Sequence, residues 1–292
     1  MPTVPGSACA IVLRAMAVWI PSLLFAVDLA TAADGAVRQT VSLSPPALTA
    51  IPSGPLGEAI RHGQQIVNDT QVTVKDYVGN GLRCTDCHLQ GGRTAYAAPL
   101  VGLTGLFPEY RSRRGSVESL EDRINDCFLR SMNGKPLPDS SPEMLSVLAY
   151  IAWLSQGVPI GTEVEGRGFR EIHSSGPGNP ASGKATFSAK CAGCHGADGQ
   201  GVQASPGKYL FPPLWGPQSF NDGAGMARLS VAAAFIQTKM PLGNAGTLTD
   251  QEAYDVAAYL TMQPRPAFPE KANDWPKGGR PVDARLVLRH AR

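Results

Sequence analysis

The 292-residue sequence predicts an all-α fold in two similar domains. Three observations predict it: a pentapeptide that occurs twice, an amphipathic helix pattern that closes each copy, and a run dense in Gly, Pro and Ser between the copies. The pentapeptide is Cys84-Thr85-Asp86-Cys87-His88, echoed about 107 residues later as Cys191-Ala192-Gly193-Cys194-His195. In such a C-x-x-C-H box two thiols become thioethers to a porphyrin, and the adjacent imidazole takes one axial position on its iron. The two boxes predict two covalently bound haem c groups, one held by Cys84, Cys87 and His88 and the other by Cys191, Cys194 and His195.

Arg14 precedes an apolar run from Ala15 to Val27, broken only by Pro21 and Ser22, and Ala30-Thr31-Ala32 follows as a small-residue cleavage signal. Residues 1–33 therefore read as a signal peptide that directs the chain to the periplasm. The run is too short for an anchor, which needs about 20 apolar residues, and no stable membrane insertion is expected after cleavage. Residues 34–162 form the first domain, with an N-terminal extension ahead of its box. Its closing helix starts at Ser141-Pro142, an N-cap followed by an N1 proline, and ends before Gly157. The linker is placed at 163–180, within the Gly-, Pro- and Ser-rich stretch from Gly157 to Pro180.

Residues 181–265 form the second domain. A short helix from Gly183 to Ala189 leads into its box, and Thr249-Asp250-Gln251-Glu252 is a capping box for a closing helix that stops before Pro264. Long irregular loops such as Phe211-Pro212-Pro213-Leu214-Trp215-Gly216-Pro217 are tolerable because a macrocycle supplies the core that so short a domain lacks. The tail, 266–292, has no helical period and is expected to pack back across the domains. With 26 basic and 24 acidic residues the net charge is +2. That balance lacks the basic stripe of a nucleic-acid binder, so any anion selectivity must come from local charge.

Each haem iron has a second axial position. In the second domain the candidates are Met226, Lys239, Met240 and Met262. Met240 is preferred because Pro241 follows it, as in cytochrome c ligand loops; Lys239 is the alternative, since a deprotonated amine can replace a thioether. In the first domain, four of six cysteines are spent on the boxes and Cys9 leaves with the signal, so Cys127 is the unassigned thiol. It lies on a helical segment from Ser119 to Met132, at nearly the distance from His88 that separates Met240 from His195. Met132 and Met144 are the bland alternatives, and His62 and His173 could serve in principle. A thiolate ligand lowers the potential relative to methionine, giving electrons a direction from the first haem to the second.

On a helix, residues three and four apart share a face, which places Arg123, Arg130 and Ser131 around Cys127. Arginine lowers a thiol pKa and offers a fork of donors to an oxyanion. Arg111, Arg113 and Arg114 precede this helix and could close the same pocket, or these arginines could answer Glu118, Glu121, Asp122 and Asp126. A thiolate ringed by cations suits a small anion that donates electrons through sulfur.

These residues resemble a family of dihaem c-type cytochromes, the tetrathionate-forming thiosulfate dehydrogenases. The matching stretches are Arg123-Ile-Asn-Asp-Cys127-Phe-Leu-Arg130-Ser131-Met-Asn-Gly134, Pro213-Leu-Trp-Gly-Pro-Gln-Ser219-Phe-Asn-Asp-Gly-Ala-Gly-Met226 and Lys239-Met240-Pro-Leu-Gly243. The resemblance implies two class I cytochrome c-like domains and oxidation of two thiosulfates to tetrathionate. It implies His88 and Cys127 on the active-site iron, His195 on the electron-exit iron with Met240 and Lys239 exchanging there, and Arg113, Arg123, Ser131 and Lys239 near the substrate. A small c-type cytochrome is the implied acceptor. The rival readings are a dihaem electron carrier in which Cys127 only tunes potential, the same site run backwards as a tetrathionate reductase, and a subunit that conjugates thiosulfate to a carrier cysteine.

Overall fold

Side chains that accept hydrogen bonds from the first turn set where the main helices begin. Ser119 Oγ accepts from Asp122 N at 3.1 Å while the Asp122 carboxylate accepts from Ser119 N at 3.0 Å, and Thr249 and Glu252 repeat this reciprocal box. Ser141 Oγ accepts from Met144 N, and Asn179 Oδ1 from Ala181 N and Ser182 N. The computed structural model describes residues 1–3 and 39–284; the remainder of the expected signal peptide, with Cys9, and residues 285–292 lie outside them.

The first half contains α1 (Gly54–Asn68), α2 (Thr70–Thr73), α3 (Leu89–Gly92), α4 (Leu120–Arg130) and α5 (Pro142–Leu154), with its box on a 3-10 turn at Cys84–Asp86. The second contains α6 (Pro180–Lys190), α7 (Ala192–His195), α8 (Leu229–Lys239) and α9 (Asp250–Met262). The expected all-α character holds, with three two-stranded ribbons added. Strand β1 (Thr40–Val41) pairs in parallel with β4 (Glu163–Val164); β2 (Glu109–Arg111) and β5 (Val202–Ser205) pair antiparallel with β3 (Ser116–Glu118) and β6 (Lys208–Phe211). These ribbons are too short to read as strands from alternation.

Both halves are built on the same crossing. Gly63 of α1 lies so close to α5 that a Cβ there would run into the Ser146 carbonyl, and Gly183 of α6 meets the Asp255 carbonyl of α9 in the same way. Around the first crossing Ile60, Ile66, Met144, Tyr150 and Leu154 are fully buried; around the second, Ala233, Ala253, Val256 and Ala257 are. Tyr150 Oη donates to Gly91 O at 2.9 Å, tying α5 to the turn after the first box.

The described residues from Gln39 to Ala284 belong to one compact unit. Segment 218–223 of the second half docks on the first: Asn80 and Asn133 both donate to Ser219 O, and Asn221 Nδ2 donates to Leu129 O at 2.9 Å. Gly81, just ahead of the first box, leaves room for the Tyr209 ring of β6. Among the described residues no helix is long and apolar enough to cross a membrane.

Candidate active site

The two box histidines are oriented alike. His88 Nδ1 lies 2.6 Å from Ala98 O and His195 Nδ1 lies 2.9 Å from Pro212 O. A carbonyl only accepts, so each Nδ1 carries the proton and each Nε2 keeps its lone pair for iron. Among the described residues the cysteines form no disulfide, which leaves both pairs of box thiols available for thioether bonds. The residues fit two haem c groups. The boxes are also neighbours, since the Asp86 carboxylate of the first acts electrostatically on His195 of the second.

Helix α4 brings the sulfur chemistry to the first box. Burial alone would push the Cys127 thiol up, but Arg123 and His88 outweigh it and bring the thiol down to about 7. Arg123, one turn earlier on the same face, donates from Nη1 to Cys127 Sγ at 3.3 Å. Among the described residues Arg123 makes no ion pair with a carboxylate, so its charge remains available. The helix places a sulfur beside the box histidine and a cation beside the sulfur.

A cavity of about 340 Å³ opens on this pair. Arg113, Arg123, Cys127, Arg130 and Ser131 line it from the first half, Gly225 and Arg228 from the second, and Trp275 and Pro281 from the tail. Arg113, Arg123, Cys127 and Ser131, all expected near the substrate, therefore share one space. Lys239 is not among the lining residues: its Nζ lies 5.9 Å over the Tyr96 ring, and partial burial lowers its ammonium pKa. Met240 follows as the C-cap of α8 and packs against the second core. Of the other candidate ligands, Met132 and Met144 are buried core residues, whereas Met262 is largely exposed.

Not every arginine faces the cavity free. Arg114 pairs with Glu118 at 3.2 Å and Asp126 at 3.3 Å. Arg130 is committed to Asp274 through Nη2 at 2.7 Å and Nη1 at 3.0 Å, with its Nε 3.5 Å from Asp126. Arg113 donates to Gly223 O at 2.9 Å and stacks over Trp275, while burial and then Arg130 bring its guanidinium down to about 10. Asp274, Trp275 and Arg228 escaped sequence reasoning, because their partners lie far away in the chain. The described part of the tail, through Trp275 and Pro281, forms a wall of the cavity.

Two family models match the chain: "SoxA/TsdA, cytochrome c domain" over residues 75–160 and "Cytochrome C oxidase, cbb3-type, subunit III" over residues 178–260. A thiosulfate dehydrogenase of Allochromatium vinosum is 48% identical over 239 residues, covering 80% of this chain and 88% of that protein. One from Psychrobacter arcticus is 46% identical over 235 residues, covering 80% and 72%. The "as isolated" structure of thiosulfate dehydrogenase (TsdBA) from Marichromatium purpuratum superposes with a TM-score of 0.74 at 39% identity. The match covers 77% of this chain and spans half the length of that one. With two cytochrome c domains and two covalently bound haem c groups, the chain belongs to the thiosulfate dehydrogenase family.

Proposed function

We propose that this protein joins two thiosulfate ions into tetrathionate in the cavity beside Cys127, in the periplasm, and passes the electrons to a small c-type cytochrome. The observation that carries this reading is the Cys127 thiol, held at about 7 by Arg123, which among the described residues makes no ion pair, in a cavity lined by five arginines. A thiolate there is nucleophilic at neutral pH, and the cations offset the repulsion it would exert on a dianion.

The Cys127 thiolate and the outer sulfur of one thiosulfate form an S–S bond with the loss of two electrons, leaving a cysteine thiosulfonate. Each haem, when bound, supplies a one-electron acceptor. A second thiosulfate then attacks that outer sulfur, tetrathionate departs, and Cys127 returns as thiolate, as in thiol–disulfide exchange. Arg123 and Arg113 hold the sulfonate groups, and Ser131 offers a hydroxyl at the same wall. His88 and Cys127 are assigned to the first iron, and His195 with Met240 to the second, with Lys239 as the alternative there.

The test is thiosulfate-dependent reduction of ferricyanide by the purified holoprotein, with tetrathionate quantified, beside Cys127→Gly. Activity that disappears in a haem-replete variant supports the reading. Equal turnover by both proteins would end it.

A further inference from the structure

Five arginines line the cavity, and the structure treats three of them, Arg113, Arg123 and Arg130, differently. Among the described residues the Arg123 guanidinium hydrogen-bonds only the Cys127 sulfur. Arg130 has every guanidinium nitrogen engaged by Asp126, Asp274 or Gly223 O, and its plane lies 4.2 Å over the Phe268 ring. Such an arginine has no fork left to offer a substrate. Arg113 is held at Nη1 by Gly223 O and at Nε, 3.5 Å away, by Asp274, while Nη2 has no partner among the described residues.

One short tail segment makes this arrangement. The buried Asp274 carboxylate ion-pairs with both guanidiniums and hydrogen-bonds that of Arg130. Trp275 N donates to Arg113 O at 2.7 Å, and its ring lies 4.7 Å from the Arg113 guanidinium carbon. Trp275 adopts φ +58, a left-handed conformation that a bulky side chain takes only where its surroundings impose it. Strain at one residue and a carboxylate shared by two cations converge on the same wall of the cavity.

We infer that Asp274 and Trp275 are positioning residues: they hold Arg113 with one guanidinium edge presented to a sulfonate, using Arg130 as a fixed buttress. Asp274 does not line the cavity, and Trp275 lines it as the ring on which Arg113 stacks. Without the carboxylate, two like charges face each other with nothing between them, and Arg113 swings off the orientation that binds the anion. The inference rests on the cavity being the thiosulfate site.

The experiment is steady-state thiosulfate oxidation by the holoprotein with ferricyanide, comparing Asp274→Asn, Asp274→Glu and Trp275→Ala, with sulfate as an unreactive tetrahedral dianion. Loss of one charge-assisted bond predicts a KM about tenfold higher for Asp274→Asn, with kcat within about threefold of the parent. The inhibition constant for sulfate rises in parallel, Asp274→Glu recovers part of the loss, and Trp275→Ala shows a smaller rise in KM. Parent-like KM in Asp274→Asn, or a fall in kcat alone, overturns the inference; should Asp274→Asn not accumulate as holoprotein, Trp275→Ala decides by the same readings. Cys127→Gly in the same assay separates the two failures. If it keeps turnover, the proposed site is wrong; if it is inactive while the tail variants behave as parent, only the positioning role falls.

Discussion

Helices α4 and α8 occupy equivalent places in the two halves. Each has 11 residues, follows a box and precedes a closing helix. Their sequences have little else in common: α4 carries Arg123, Asp126, Cys127 and Arg130, whereas α8 buries Ala232, Ala233, Ala234, Phe235 and Ile236. The polar helix borders a cavity and holds a thiol down; the apolar helix fills its own core and ends at Lys239 and Met240. One scaffold thus carries two different helices at the same place. On the proposed reading, the first half receives the anion and the second passes the electron on.

Removing the sulfur breaks that contrast most completely. Cys127→Gly is expected to lower thiosulfate turnover by about 10³-fold or more while electron exchange with small cytochromes persists, as stopped-flow reduction would show. Arg123→Gln tests the cation at the sulfur: kcat/KM should fall by about 10- to 100-fold, ~1.5–3 kcal/mol, from the loss of a charge-assisted contact. Met240→Ala probes the other helix. It should lower the second haem's potential by on the order of 0.1 V and alter its visible spectrum, with the thiosulfate KM unchanged. The smallest effects come from the caps: Ser141→Ala and Thr249→Ala should each cost about 1 kcal/mol, read as a shift of about 2–4 °C in melting. Equal shifts in a single transition would mean that the two halves unfold together, whereas a separate early transition in Thr249→Ala alone would mean that they do not.

What was legible in the sequence was local. The boxes need five consecutive residues, the capping box at Thr249 needs four, and Arg123 and Cys127 share a face because one turn separates them. The tail's contribution was illegible for the converse reason. Asp274 and Arg130 are 144 positions apart, and no periodicity or spacing joins them. Arg113 shows the same limit: three arginines lie at and just after the end of β2, two of them, Arg111 and Arg113, line the cavity, and the contacts with Trp275 and Gly223 that hold Arg113 are distant in the chain. The close crossings at Gly63 and Gly183 also stayed hidden, because a glycine within a helix pattern does not announce what it packs against.

The wall that Asp274 and Trp275 add follows both boxes and both closing helices in the chain. A chain arrested between Met262 and Asp274 would therefore contain every haem-attachment residue but lack the segment that holds Arg113 and Arg130. Once loaded, it would carry the same two covalent haems. Haem content therefore does not distinguish molecules that carry this wall from molecules that lack it, whereas substrate titration does.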